Sequence, residues 1–327
     1  MKLLLLVIIV CIMSENIFTQ PKISEPFAHT FSIVARDHET GEVGVAVQSH
    51  WFSVGSVVSW AEAGVGAVAT QSFVNISFGR RGLDLLKEGK SPDEALKILI
   101  NSDEGRDFRQ VAIIDVQGRV AAYTGNKCIK DASHITGDNF SVQANMMLND
   151  KVPPAMSKAF QDTKGPLAER MVAAMKAAQS TGGDIRGQQS AAVLIVKGKA
   201  SDKPWEDRLI DLRVEDHPEA VNEIERVLRI HRAYEHMNNG DLAIEKGDEK
   251  KALEEYGAAE SMFPDNLEMK YWHAVSLANI GKVDEALPLF TQVFEKDKNW
   301  IELTKRIVVN GLLKADEKTL KKIIGAK

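Results

Sequence analysis

The C-terminal third of the chain repeats itself, and this repeat constrains the fold more than any other feature of the sequence. A glycine, an alanine and an aromatic residue each return at one constant spacing. The matched pairs are Gly247 and Gly281, Ala252 and Ala286, and Tyr256 and Phe290. Small residues let paired helices approach closely, and an aromatic ring fills the space between them. The pattern therefore predicts an all-helical second domain over residues 219–327.

The repeat length of 34 residues is that of tetratricopeptide repeats, in which each unit is a helix–turn–helix. Pro264 closes the first unit as expected, whereas Lys298 stands where a second proline would fall. Two units are fewer than the three or so needed for stability, so we expect flanking helices over 220–234 and 301–324 to pack against them. Repeats of this kind present a concave groove to peptides or proteins, which predicts a protein or peptide partner here.

The first 20 residues have the pattern of a secretory signal peptide. Lys2 supplies the positive charge, and residues 3–13 form an apolar core that is too short to span a bilayer. We therefore expect an exported protein, periplasmic or secreted, with no membrane span after leader removal. The end of the leader is left open between residues 20 and 29, and Cys11 leaves lipid anchoring open as well.

Composition narrows the function further. A net charge of −5 without a basic block argues against nucleic acid binding. With Cys11 in the leader, Cys128 is alone in the mature chain, which excludes an internal disulfide. The eight histidines are scattered without a ligand spacing, so we expect no metal and no cofactor. Homo-oligomerisation is left open.

Between the leader and the repeat, strands and helices come in runs. Helical spacing marks residues 167–178, before the glycine pair at 182–183. Ser91, Pro92 and Glu94 form an N-cap, a proline at the first helical position and a capping box. Apolar strands are predicted at residues 30–35, 44–47, 64–70, 111–115, 120–124, 190–196 and 209–214. This order favours an α+β fold with sheets buried between layers.

Five motifs mark this region: residues 30–53, GVGAVATQS at 64–72, residues 105–125, QANM at 143–146 and GGDIRGQQSA at 182–191. Together they resemble the bacterial family called domain of unknown function 1028, which is grouped with the N-terminal nucleophile (Ntn) hydrolases. The resemblance covers residues 30–218. It implies a four-layer αββα sandwich and a catalytic first residue, but no substrate.

Thr30 matches the position of that first residue. In Ntn enzymes the hydroxyl attacks a carbonyl carbon while the α-amine of the same residue takes its proton. The resemblance makes Asn145 a candidate for oxyanion binding, because an amide side chain can donate to the oxyanion. Asp184 and Arg186 are candidates for a charged pair that orients the amine or the substrate. The alternative is that this pair lies on the surface and contributes little.

Five further polar residues are candidates for substrate binding because they lie on strands or at strand ends that can face one cleft. They are Ser32, Gln48, Ser49, Gln71 and Gln143. The alternative for each is structural, since hydroxyl residues are common in strands and amides often cap turns.

His29 precedes Thr30, so a free amine requires cleavage between them by signal peptidase, another protease or the chain itself. With that cleavage the sequence predicts an exported Ntn-type amidohydrolase acting on a C–N amide bond. Without it, the alternative is a non-catalytic envelope protein that binds or scaffolds.

Overall fold

The computed structural model describes residues 27–325, so the predicted leader and Cys11 lie outside the described residues. The chain divides into two compact units, the first ending at Asp211 and the second beginning at Leu212. In the described part of the chain, no helix is both long enough and apolar enough to cross a bilayer.

The first unit alternates strands with short helices. Its strands, the last of which extends past Asp211, are β1 (Phe27–Ala28), β2 (Thr30–Arg36), β3 (Val43–Ser49), β4 (Ser59–Glu62), β5 (Gly66–Phe73), β6 (Arg109–Asp115), β7 (Val120–Thr124), β8 (Ser133–Gly137), β9 (Phe140–Ala144), β10 (Ser190–Val196) and β11 (Arg208–Val214). Its helices are α1 (Gly55–Val58), α2 (Ser77–Lys87), α3 (Pro92–Asn101), α4 (Val152–Asp162) and α5 (Leu167–Ser180), with 3-10 turns at Arg106–Phe108 and Pro204–Glu206.

The strands form two sheets. The five-stranded sheet has the order β1-β5-β6-β7, with β4 also paired to β5, and the six-stranded sheet has the order β11-β10-β3-β2-β9-β8. The registered pairs in both sheets are antiparallel. The hairpins β2–β3 and β6–β7 confirm the strand pairs predicted from the sequence.

The sheets pack face to face, and helices cover their outer faces. Valines of β3 meet alanines of β5 in a core between the sheets, with Val45 and Ala67 fully buried. Helices α2 and α3 cover the other face of the five-stranded sheet, where Phe78 and Leu99 pack on Ile113. Helices α4 and α5 pack on the six-stranded sheet, and the Phe160 ring lies 4.9 Å from that of Phe140.

Where a local sequence signal is strong, the structure contains the predicted feature. The Ser91 side chain accepts from the Glu94 backbone N–H, and the Glu94 carboxylate accepts from that of Ser91, which confirms the capping box. The sequence did not predict α4 or the β8–β9 hairpin. Paired prolines at 153–154 obscure the helical pattern of α4, and Asn139 closes the hairpin with a positive φ of 63°.

The second unit is helical. Its helices are α6 (Ala220–Glu245), α7 (Glu249–Met262), α8 (Leu267–Asn279), α9 (Val283–Lys296), α10 (Asn299–Val309) and α11 (Glu317–Ile324). Positions matched by the sequence repeat have matching environments. Gly247 and Gly281 both follow a helix with positive φ, of 74° and 82°, where glycine is unstrained. The paired alanines and aromatic rings are all buried.

Candidate active site

The chain passes from one sheet to the other at His29. Ala28 in β1 pairs with Ser72 of β5 in the first sheet, whereas Thr30 opens β2 and pairs with Ser49 of β3 in the second. His29 is 1% exposed and Thr30 is fully buried. The peptide bond between them therefore lies in the interior, between the two sheets.

The carbonyl oxygen of His29 accepts two hydrogen bonds from side chains. The Ser49 hydroxyl donates to it at 2.6 Å, and Nη2 of Arg186 donates at 2.9 Å. One donor is neutral and the other carries a full positive charge. Negative charge that develops on this oxygen would be stabilised by both.

Asp184 fixes the guanidinium of Arg186. Its carboxylate is fully buried and accepts from Nε of Arg186 at 3.0 Å and from Nη2 at 2.7 Å. The same carboxylate accepts from the backbone N–H of His50 and of Arg186. The pair is therefore a buried, two-point ion pair rather than a loose surface contact.

The carbonyl oxygen of Thr30 is held separately, by amides. The backbone N–H of Asn145 donates to it at 3.0 Å, and the side-chain amides of Asn145 and Gln71 donate at 3.4 and 3.3 Å. The Thr30 hydroxyl lies 3.4 Å from the carbonyl oxygen of Ala28, to which it donates. The carbonyl group and the hydroxyl of Thr30 are therefore both held by hydrogen bonds to neighbouring groups.

Gln110 of β6 connects these amides. Its Oε1 accepts from Nε2 of Gln71 at 2.7 Å and from Nδ2 of Asn145 at 2.9 Å. Its Nε2 donates to the Thr124 hydroxyl and to the carbonyl oxygens of Ser133 and Ala144. Because Gln110 is fully buried, it fixes the orientation of both amides that reach Thr30.

Ser32 joins the network one strand position further along. Its hydroxyl donates to Oε1 of Gln71 at 2.6 Å and accepts from Nε2 of Gln143 at the same distance. Oε1 of Gln143 in turn accepts from the Ser141 hydroxyl. All of these residues are fully buried, so their polar groups are paired within the protein.

The His29 ring also belongs to the site. Its Nδ1–H donates to Oδ1 of Asn145 at 2.7 Å, and its edge packs on the Phe73 ring at 5.5 Å. Burial lowers its pKa most, the Asn145 hydrogen bond opposes that shift, and the Arg186 charge lowers the pKa further. The surroundings therefore favour the neutral form of the imidazole.

The structure brings together all but one of the residues singled out from the sequence. Around the His29–Thr30 bond lie Thr30, Ser32, Ser49, Gln71, Gln143, Asn145, Asp184 and Arg186. Gln48 lies apart, because it pairs with Phe31 and its side chain is on the opposite face of the sheet. Its Nε2 donates to the Gly187 carbonyl oxygen at 3.4 Å.

Sequence reasoning missed two members of the site, Gln110 and His29. A polar residue inside the apolar strand RQVAIID was the available signal for Gln110. His29 was treated only as part of the leader. Among residues 27–325, no cluster of three or more His, Cys, Asp or Glu side chains is placed to hold a metal ion.

Fold and site together define a mixed α/β unit, built from packed antiparallel sheets around one buried polar network, followed by a helical unit. The model of the family described as "Family of unknown function (DUF1028)" matches residues 30–224. The chain belongs to this family.

A solved relative agrees with this assignment. The crystal structure of a DUF1028 protein from Silicibacter pomeroyi is 29% identical and superposes with a TM-score of 0.56. The match covers 62% of this chain and 88% of that one. No curated protein shows significant similarity to the chain.

Proposed function

We propose that the first unit is an Ntn-type hydrolase of amide C–N bonds, with Thr30 as nucleophile once the segment before it has been removed. The observation that carries the proposal is the pair of donors, Ser49 and Arg186, on the carbonyl oxygen of His29. That oxygen belongs to the acyl group joined to Thr30. It therefore marks where the carbonyl oxygen of an acyl group attacked by Thr30 would lie.

Attack on a carbonyl group at this position requires hydrogen-bond donors that are held in place before the reaction. Attack on an amide carbonyl puts negative charge on its oxygen, and one preorganised donor contributes about 10²–10³ in rate. Arg186 is preorganised because Asp184 holds it at two points, and Ser49 is fixed in the register of β3. In this proposal Arg186 and Ser49 bind the oxyanion, and Asp184 positions Arg186.

The base is the α-amine of Thr30. A free α-amine has a pKa of about 7.7–8.0, so near neutral pH it can accept the hydroxyl proton of its own residue. Asn145 and Gln71 hold the Thr30 carbonyl oxygen and so keep the residue in place after cleavage. This assigns Asn145 to positioning, where the sequence suggested oxyanion binding.

Burial of the His29–Thr30 bond supports self-cleavage over cleavage by a second protease. An external protease needs an exposed, extended segment, and both residues are at most 1% exposed. In self-cleavage the Thr30 oxygen attacks the His29 carbonyl carbon, and the C–N bond breaks as the nitrogen gains a proton. Water then hydrolyses the resulting ester, which releases a carboxylate at His29 and leaves Thr30 with a free amine and hydroxyl.

Other observations support the same assignment. The family match begins at Thr30, the residue to which the mechanism gives the amine. The order of layers, helices on sheet on sheet on helices, is the one that the Ntn resemblance implies. In this proposal the second unit is a tetratricopeptide-type arm that docks a peptide or protein. The leader would export the enzyme, so its substrate would be a small or peptide amide outside the cytoplasm.

Intact mass and N-terminal sequencing of the purified full-length protein test the proposal. We expect a chain that begins at Thr30 and cleaves a panel of amide substrates. Thr30→Ala should retain the preceding residues and have no activity, Thr30→Ser should be processed, and the exposed control Thr136→Ala should match the original protein.

The competing function is a non-catalytic binding or scaffolding protein. The closed network around a peptide-bonded Thr30 is the observation that favours it. A purified protein that retains His29, or amide cleavage unchanged by Thr30→Ala, would exclude the Ntn mechanism with Thr30 as nucleophile. Ligand binding without turnover would support the non-catalytic alternative.

A further inference from the structure

The helical unit contains a cavity that the proposed hydrolase site does not use. It lies among α6, α7 and α8, beside Leu312, and has a volume of approximately 460 Å³. This volume falls within the range of small-ligand sites, about 300–1,000 Å³.

The charged groups that line this cavity all have the same sign. Asp241 and Glu245 of α6 and Glu268 of α8 line it, and no Lys, Arg or His side chain does. The basic side chains His236 and Lys251 pair with Glu255, and Lys314 pairs with Glu249, whereas no ion pair within residues 27–325 includes the three lining carboxylates. Asp241 and Glu268 instead accept from the hydroxyls of Tyr256 and Tyr234, at 2.6 and 2.7 Å. Neutral donors leave the negative charge of these carboxylates uncompensated.

A buried hydroxyl in the lining has no partner. Ser276 of α8 is 1% exposed, and its Oγ makes no hydrogen bond in the described structure. An unpaired buried polar group destabilises the folded state, so such groups are rare in proteins. Ser276 lines the cavity although its Oγ is closed to solvent in the free protein, so a rotation of this side chain about χ1 would let a ligand N–H group supply the missing partner.

The aromatic lining suits a ligand that is charged at one end and apolar along its length. Trp272 and Tyr256 line the cavity together with Val275 and Ile244. Aromatic faces attract ammonium and guanidinium groups, and apolar side chains pack on methylene groups.

We infer that this cavity binds an organic cation, an alkylammonium or guanidinium group carried on a short apolar chain. The carboxylates of Asp241, Glu245 and Glu268 balance its charge, and the Ser276 hydroxyl accepts one of its N–H groups. Such a group can come from a lysine or arginine side chain of a peptide or from a free diamine. The inference does not depend on the proposed hydrolase.

Calorimetric titration of the full-length protein distinguishes these sources. The probes are a lysine tripeptide with blocked termini, its norleucine counterpart, which lacks the ammonium group, and 1,5-diaminopentane. We expect binding of the lysine peptide or the diamine, with the tighter ligand identifying the source. Binding should weaken with salt, because the carboxylates at the mouth are exposed to solvent. If neither cation binds, or if the norleucine peptide binds equally well, the inference is wrong.

Matched substitutions test the site itself. Glu245→Gln and Glu268→Gln keep the side-chain size and should each weaken binding of the cation about fivefold, the equivalent of about 1 kcal/mol per ion pair. Glu254→Gln is the control, since Glu254 is an exposed residue of α7 that does not line the cavity. Equal affinities for all three variants would overturn the inference.

Ser276→Ala should weaken ligand binding without lowering stability, a combination that a purely structural role of Ser276 would not produce. Removing an unpaired buried hydroxyl should leave the melting temperature of the free protein unchanged or higher. The same change should weaken the cation severalfold, because its N–H acceptor is lost. A variant that binds the cation as tightly as the original protein would contradict the role of Ser276.

Discussion

Nη2 of Arg186 donates a 2.9 Å hydrogen bond to the carbonyl oxygen of His29, the residue that immediately precedes Thr30. This contact joins a charged group to the one peptide bond whose cleavage would free the Thr30 amine. The guanidinium is held in turn by Asp184, which has no exposed side-chain surface. Processing and catalysis would then depend on the same side chain.

The role of Arg186 can be tested without removing its charge. We predict that Arg186→Lys slows cleavage of the His29–Thr30 bond by about 10²–10³, the contribution of one oxyanion donor. A lysine ammonium keeps the charge beside Asp184, but it lacks the planar fork that reaches both Asp184 and the His29 oxygen. The measurement is the fraction of processed chain over time, by mass spectrometry.

Arg208→Lys is the matched control for this substitution. Arg208 lies on β11 and pairs with Asp211 at an exposed position. The Arg208→Lys variant should be cleaved at the His29–Thr30 bond at the same rate as the original protein. Equal processing of the Arg186 and Arg208 variants would show that Arg186 does not act on the His29 carbonyl.

The unprocessed chain should lose stability at acid pH because of His29. Burial, more than any other cause, holds the His29 pKa below its usual value of 6.5. As the pH falls through about 6.5, the unfolded chain therefore takes up more proton at this residue than the folded chain does, and the free energy of unfolding falls. The slope reaches at most about 1.4 kcal/mol per pH unit for one proton.

The His29 contribution can be isolated with two unprocessed variants. Thr30→Ala retains His29, and the double variant His29→Gln/Thr30→Ala lacks it, while all other histidines are common to both. We expect the melting temperature of the single variant to fall more steeply between pH 7 and pH 5. If the melting temperatures of the two variants fall in parallel with pH, His29 titrates alike in the folded and unfolded states.

Gln110 should be the amide whose loss destabilises the site most. Gln110→Ala leaves the NH₂ groups of Gln71 and Asn145 without their common acceptor, inside a region with no exposure. The Gln71 NH₂ group keeps the carbonyl oxygens of Thr30 and Gln143 as acceptors, whereas that of Asn145 keeps only the Thr30 oxygen. One N–H of Asn145 is then unpaired, which costs about 1–3 kcal/mol, so the free energy of unfolding should fall by that amount. Denaturant unfolding measures this change.

Gln117→Ala serves as the comparison, because Gln117 is an exposed turn residue between β6 and β7. Its effect should stay within about 0.5 kcal/mol. If both variants unfold at the same denaturant concentration, the Gln110 side chain does not organise the network.

Much of the fold could be read from local patterns. The Ser91 capping box and the β2–β3 and β6–β7 hairpins depend on residues close together in the chain, so their signals survive in a single sequence. The same holds for the glycines that end α6 and α8 with positive φ. Elements whose signals are weak locally, such as α4 with its paired prolines, were missed.

The site was only partly predictable because its geometry comes from pairing across distant strands. Thr30, Asn145 and Gln71 were identified by type and position, but nothing local shows that their hydrogen bonds meet at Gln110. Gln48 and Ser49 are neighbours in sequence, yet strand alternation places only Ser49 at the His29 carbonyl. The buried pairing of Asp184 with Arg186 likewise depends on tertiary packing.

Two glycines in the helical unit should respond oppositely to the same substitution. A Cβ on Gly240 of α6 would lie 2.6 Å from the Tyr256 ring, closer than packed atoms allow. A Cβ on Gly257 of α7 would lie 3.7 Å from the His273 ring, an ordinary contact distance.

Alanine stabilises a helix interior by about 0.8–1.0 kcal/mol relative to glycine. Gly257→Ala should therefore raise the melting temperature of the full chain. In Gly240→Ala the displaced Tyr256 ring, whose hydroxyl donates to Asp241, should outweigh that gain and lower it. Stabilisation by both substitutions would show that α6 and α7 do not pack through Gly240 as described.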